Sequence, residues 1–165
     1  MTITAIITPN CRYLSLVVTG VQGSAQINIT NGSYSHSVQM NIPANGSVNQ
    51  LLYLMTTIGV QNGVFRITGT DAHGDEAQTG ALGSCSLDCC IAKKVDKLLE
   101  CGCGCLKCND ALTQAERVHL LIAGITADLA NLSTSTAENA ALWTTAEEKY
   151  KKALELCSDS CGCSC

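Results

Sequence analysis

Along the first half of the chain, apolar residues alternate with Ser, Thr, Asn and Gln in short runs broken by Gly, Pro and Asn. A period of two is the mark of a strand with one buried face. Thr2–Thr8 is β-branched and alternating, and Pro9-Asn10 ends it. Tyr13–Thr19 predicts a second strand, and Gly20–Gly23 a turn. Ala25–Thr30 alternates Ile27 and Ile29 with polar residues, and Asn31-Gly32 is a hairpin turn signal. Tyr34–Ile42 is the expected partner, with Val38, Met40 and Ile42 on one face. Leu51–Ile58 is apolar and fits either strand or helix. Val64–Thr70, with Val64 and Phe65 on different faces, and Glu76–Leu82 complete the series around a polar turn at Asp71–Gly74. Strands recurring every ~8–12 residues predict an antiparallel sandwich.

The period changes at Gly83-Ser84. A helix is predicted over about 86–100, capped by Ser86, with Asp88 in its first turn and Ile91, Val95, Leu98 and Leu99 on one stripe. Gly102 and Gly104 stop it. A second helix over about 110–130 has Leu112, Ala115, Val118, Leu121, Ile122, Ile125 and Leu129 on its apolar side. Ser135-Thr-Ala-Glu138 reads as a capping box opening a third helix to about 156. In it Trp143, Ala146, Tyr150, Ala153 and Cys157 step by three and four, the seam of a helix packed on another. The last two helices, each on the order of 30 Å long, are joined by a short bend and should be antiparallel. Cys108 and Cys157 are then expected side by side at the end away from the bend. The expected fold class is α+β, with an immunoglobulin-like sandwich over 1–83 and a cysteine-rich helical module over 84–165.

Charge follows the same division. Before Ser84 the charged residues are Arg12, Arg66, Asp71, Asp75 and Glu76, with no lysine; beyond it Lys and Glu are frequent. The net charge of −4, without a basic block, argues against a nucleic-acid partner. Aromatic content of 4% means a core of Val, Ile, Leu and Ala, the kind that often needs staples. The opening Met1–Asn10 lacks the basic and apolar regions of a signal peptide. No run approaches the ~20 apolar residues of a membrane span. Synthesis in a reducing cytosol and no membrane partner are therefore expected.

Against that background the 12 cysteines favour metal ligation over disulfides. One run is Cys101-Gly-Cys103-Gly-Cys105-Leu-Lys-Cys108; another, Cys157-Ser-Asp-Ser-Cys161-Gly-Cys163-Ser-Cys165, closes the sequence. Such spacings let neighbouring thiolates reach one ion, and zinc takes four in a tetrahedron. The eight could fill two four-thiolate zinc sites or one bridged cluster; disulfides are the alternative. Cys85, Cys89 and Cys90 form a smaller thiol group, expected ~20 Å from Cys101 along the helix. It could make a separate bridge with Cys11, while one of Cys89 and Cys90 serves as a small apolar side chain.

Catalytic candidates are few. Cys105-x-x-Cys108 precedes the second predicted helix, a setting that activates a thiol, but it lacks the βαβ context of a redox fold. Asp71, His73 and Asp75 have the chemistry of a metal or acid–base site, and a polar hairpin tip explains them equally well. His36 and His119 stand alone as surface or core residues. No Ser-His-Asp arrangement, phosphate-cradling loop or paired carboxylates is evident, so no enzymatic activity is expected.

Two stretches carry resemblances. Gly63-Val-Phe-Arg-Ile-Thr-Gly-Thr-Asp71-Ala-His-Gly74 resembles the penultimate hairpin of bacterial and phage immunoglobulin-like domains, with their Gly-x-aromatic-x-hydrophobic-x-x-x-Asp-x-x-Gly pattern. The disulfide–Trp core of antibody domains is absent: Cys11 is the only cysteine before Ser84, and there is no Trp there. Leu87-Asp-Cys-Cys-Ile-Ala-Lys-Lys-Val-Asp-Lys-Leu-Leu-Glu-Cys101, followed by a cysteine-rich turn, resembles small structural proteins of tailed-bacteriophage virions. That resemblance implies a non-enzymatic neck, tail or capsid-associated component. Its partners would be other virion proteins and further copies of itself in a ring or lattice. The residues alone leave two alternatives: a cytoplasmic zinc-binding or metal-buffering protein, and a host-recognition or adhesion module.

Overall fold

The structure is a computed structural model describing residues 1–21, 23–32, 34–44, 46–54, 62–101 and 106–158, with backbone alone at 101, 106–109, 111 and 158. Among these residues the chain is α+β, with seven strands in two antiparallel sheets followed by three helices. The strands are β1 (Thr2–Ile7), β2 (Tyr13–Thr19), β3 (Gly23–Asn31), β4 (Tyr34–Ile42), β5 (Ser47–Tyr53), β6 (Gly63–Asp71) and β7 (Glu76–Gly83). One sheet has the order β1-β2-β5 and the other β4-β3-β6-β7.

The alternation in the sequence becomes the two faces of each sheet. Ile3, Leu14, Leu16 and Val18 from the first sheet join Ile27, Ile29, Met40, Phe65 and Ile67 from the second in one buried cluster. Val48 and Leu52 pack against it, so the ambiguous apolar stretch is a strand through Tyr53; positions 55–61 lie outside the described residues. The Asn31-Gly32 signal is a hairpin turn between β3 and β4, with Asn31 opposite Tyr34. Gly32 has φ 56°, a conformation that costs a residue with a Cβ. Pairing extends over all of β4, which makes β3 longer than its apolar core. Val64 and Phe65 do diverge: Phe65 enters the inter-sheet cluster, and Val64 turns to the helices.

The helices are α1 (Cys85–Cys101), α2 (Leu106–Ala130) and α3 (Thr136–Ser158). Several expectations need correction. The cap of α1 is Ser84, not Ser86: its carbonyl accepts from Asp88 N–H at 2.8 Å and its Oγ donates to Asp88 Oδ2 at 2.8 Å. Ser86 N–H instead donates to Asn62 Oδ1 at 2.9 Å. The buried face of α1 is Leu87, Cys90 and Lys94; Val95 and Leu99 are exposed. Lys94 fits inside because its stem is apolar and its Nζ donates to Gln114 Oε1 at 2.5 Å. Helix α2 begins four residues before its predicted start, so Cys108 lies within it rather than before it. Leu112 is exposed.

The α2–α3 bend is held by buried Asn139, whose Nδ2 donates to Ser133 O at 2.7 Å while its Oδ1 accepts from Ser133 N–H at 2.8 Å. Half of the capping box forms: Glu138 N–H donates to Ser135 Oγ at 3.3 Å, but the Glu138 carboxylate takes the Ser133 hydroxyl at 2.7 Å. Asn139→Ala leaves the Ser133 N–H and C=O without these partners and is expected to lower stability by about 1–3 kcal/mol. A urea titration followed by circular dichroism measures it.

The helices cover the outer face of β6 and β7. Val64 joins Ile125, Leu129, Trp143 and Ala146 in a second buried cluster, with Leu82 packed against it. Gly80 makes this approach possible: a Cβ there would lie 2.8 Å from Trp143 Cη2 and closer still to Leu129 Cδ2. Trp143 Nε1 donates to Gln78 Oε1 at 3.4 Å, and Gln78 Nε2 donates to Thr134 O at 3.1 Å. Arg66 lies 5.0 Å from the centre of the Trp143 ring and pairs with Glu147 at 2.6 Å. Sheet and helices therefore share an interlocked surface, apolar at its centre and polar at its rim.

Candidate cysteine site

Two loops and a helix end bring Cys11 to Cys85. After β1 the chain turns through Pro9-Asn10, held by Cys11 N–H donating to Thr8 O at 2.8 Å and Arg12 N–H to Asn10 Oδ1 at 3.1 Å. Cys11 itself has φ 53°, the one non-glycine in the left-handed region among the described residues. Its sulfur is bonded to that of Cys85, the first residue of α1, with Cα atoms 6.2 Å apart. The expected bridge between Cys11 and the 85–90 group is therefore present, made by Cys85. It joins the β1–β2 turn to the helical half across 74 residues of sequence.

The same group supplies the expected packing thiol. Cys90 is 1% exposed and lies in a third cluster with Leu87, Val118, Ala153 and Cys157. The expected pairing of Cys157 with Cys108 falls on a side chain, that of Cys108, outside the described residues. Helix α3 does run antiparallel to α2: Leu129 shares a cluster with Trp143, while Val118, earlier in α2, shares one with Ala153, later in α3. Helix α1 packs along α2 and against α3, and so brings Cys90 into the same cluster as Cys157. A 3–4 periodicity gives the buried face of each helix, not the offset between helices, so the sequence could not show this meeting of Cys90 and Cys157.

Of the remaining candidates, Cys101 ends α1 and Cys108 lies in the opening turns of α2. Their side chains, and all of Cys103, Cys105, Cys161, Cys163 and Cys165, lie outside the described residues. Among the described residues, no three His, Cys, Asp or Glu side chains converge on a point where a metal ion could sit. Cys89 is half-buried one turn after Cys85.

The Asp71-His73-Asp75 tip is organised as a turn. Asp71 Oδ1 accepts from His73 N–H at 2.8 Å and Asp75 N–H at 2.9 Å, while exposed His73 holds its ring nitrogen 4.0 Å from Asp71 Oδ2. Desolvation pushes the Asp71 carboxyl up, but the Asp75 and His73 N–H groups, with the charges of His73 and the N-terminus, outweigh it and leave the carboxyl below its ordinary range. A carboxylate depressed in the folded state stabilises above its unfolded pKa, and that contribution is lost as pH falls through its folded value. Asp71→Asn is thus expected to lower stability at neutral pH and to flatten the acid limb below about pH 4. Urea midpoints measured from neutral to acid pH check the sign. His36, beside Tyr34 on β4, and His119, on α2, are both exposed.

A groove between β1, β7 and α2, lined by Thr4, Ile6, Leu82, Ile122, Thr126 and Leu129, has no charged group in its walls. Its chemistry is that of apolar contact and hydroxyl hydrogen bonds. Among the described residues no helix is long and apolar enough to cross a membrane. No protein-family model matches this chain, and no curated protein sequence matches it.

Proposed function

We propose that this protein is a non-enzymatic structural component of a repeated assembly, a tailed-bacteriophage virion protein at a neck, tail or capsid-associated position, present in several copies. One observation carries the reading: a sparsely charged β half and a charged helical half are keyed together by Trp143 over Gly80 and tied by Cys11–Cys85. Interlocking of that kind suits a part that transmits load. An immunoglobulin-like sandwich in the β half is supported by the strand orders β1-β2-β5 and β4-β3-β6-β7. Strands one, two and five opposite three, six and seven is the immunoglobulin arrangement, here with the fourth strand beside the third.

In this reading the cysteine runs clamp the helical module, and zinc is the ion. The donor set suits it: Cys101, Cys103, Cys105 and Cys108 supply four thiolates around the short connection between α1 and α2. Cys157, buried among Leu87, Val118 and Ala153, suits that role less well than Cys161, Cys163 and Cys165. Elemental analysis and thiol titration of freshly purified protein test the clamp. Bound zinc, with loss of helical circular dichroism on chelation, is the expected result; a metal-free protein with oxidised thiols would replace zinc by disulfides. Mass spectrometry of purified particles tests the assembly role. Multiple copies per particle are expected, and absence from particles sinks it.

A further inference from the structure

We propose that the outward face of the β1-β2-β5 sheet is the surface through which two copies of this chain join, face to face. The inference specifies one contact of the multi-copy reading above and rests on it. Helices cover β6 and β7 of the other sheet, whereas α2 borders this one only beside β1, where Thr4 and Ile6 form one wall of the groove shared with Ile122 and Leu129. Its outward side chains follow from the alternation. Ile3, Leu14, Leu16 and Val18 point inward, so Ile6, Tyr13, Ser15, Val17, Leu51 and Tyr53 point out. Ile6 is 63% exposed, Leu51 57% and Tyr53 52%.

Three features commit the face to a second copy. First, β1, β2 and β5 contain no charged residue. A charged partner surface would lose its hydration here without gaining an ion pair. A bilayer would strand the interleaved hydroxyls and the Asn49 amide in hydrocarbon, whereas an identical face offers hydroxyl to hydroxyl and methyl to methyl. Second, Ile6, Ser15 and Leu51 form one cross-strand row, large, small, large. A two-fold axis lying in the plane between the two faces, parallel to β2 and passing over Ser15, sets Ser15 against its own copy and Ile6 of each chain over Leu51 of the other, which is the self-complementarity an isologous contact requires. The Tyr13–Tyr53 pair, with ring centres 5.2 Å apart, closes one end of the patch. Third, the size is right. The three exposed large apolar side chains alone present on the order of 400 Å², as large as the biggest apolar patch on an ordinary monomer. The half-buried neighbours bring the face toward the ~800 Å² per partner of a standard interface.

Sedimentation equilibrium on the full chain, with accessible thiols alkylated to exclude intermolecular disulfides, tests it. The wild type is expected to form dimers. Leu51→Lys and, independently, Ile6→Lys should each weaken the dimer at least tenfold with unchanged circular dichroism. Leu120→Lys, at an exposed position on α2, should leave it intact. Undiminished self-association in both sheet variants overturns the assigned face while leaving the multi-copy reading standing. A wild type that stays monomeric at its solubility limit overturns the inference, and so does a monomer whose sheet face captures glycans or vesicles. The copy number in particles decides the broader reading separately.

Discussion

Replacing Cys11 and Cys85 by serine is expected to lower the unfolding free energy by about 4 kcal/mol. The bond closes a loop of 74 residues, and releasing a loop of that length restores a large conformational freedom to the unfolded chain. The loss matters because a domain of this size has only ~5–15 kcal/mol in total. Two secondary effects should accompany it. The β1–β2 turn holds Cys11 in the left-handed region, and a turn freed of its tether can relax that residue. The start of α1 should also fray, because the bond holds its first residue to the turn. Guanidinium titrations of oxidised, reduced and Cys11→Ser/Cys85→Ser protein measure the effect; hydrogen exchange locates it at Cys11–Tyr13 and the first turn of α1. An unchanged midpoint would mean that the bond adds nothing to stability.

The second large effect is at the seam between sheet and helices. Trp143→Ala removes a 3% exposed ring touching β7 and should lower stability by about 3–5 kcal/mol. Gly80→Ala introduces a Cβ into space held by Trp143 and Leu129 and should lower it by about 1–3 kcal/mol through overpacking. The double variant distinguishes contact from coincidence. With the ring gone, the methyl added at position 80 fills part of the space it leaves, so the combined loss should fall short of the sum by about 0.5–3 kcal/mol. Strict additivity would mean that the two sites do not meet in solution.

The β half was largely legible in the sequence, because two-residue alternation and the Asn31-Gly32 signal are local and strong. Tyr13–Thr19 and Tyr34–Ile42 coincide with β2 and β4, and the opposite faces of Val64 and Phe65 turn out to serve two different clusters. The helices were legible as elements but less so as faces. On α1 the inward position after Leu87 and Cys90 is Lys94, and no hydropathy pattern places a lysine inside while leaving Leu99 out. Ser84 and Ser86 offer the same hydroxyl at alternate positions, and the choice between them depends on Asn62, distant in sequence, which takes the Ser86 N–H. The meeting of Cys90 and Cys157 depends on the register of three helices, which periodicity does not encode. The Trp143–Gly80–Gln78 seam has no local signature: a glycine in a strand, a glutamine beside it and a tryptophan 63 residues beyond that glycine join only in three dimensions.

Trp143 is the chain's single tryptophan, and its indole is wedged where strand meets helix. Its emission is therefore a private optical reporter of that junction, blind to events confined to the far sheet. Stopped-flow fluorescence should time the moment the helical hairpin seats, separately from the backbone signal of strand pairing. Arg66 stacked on the ring and Gln78 at its nitrogen tune the colour of that light.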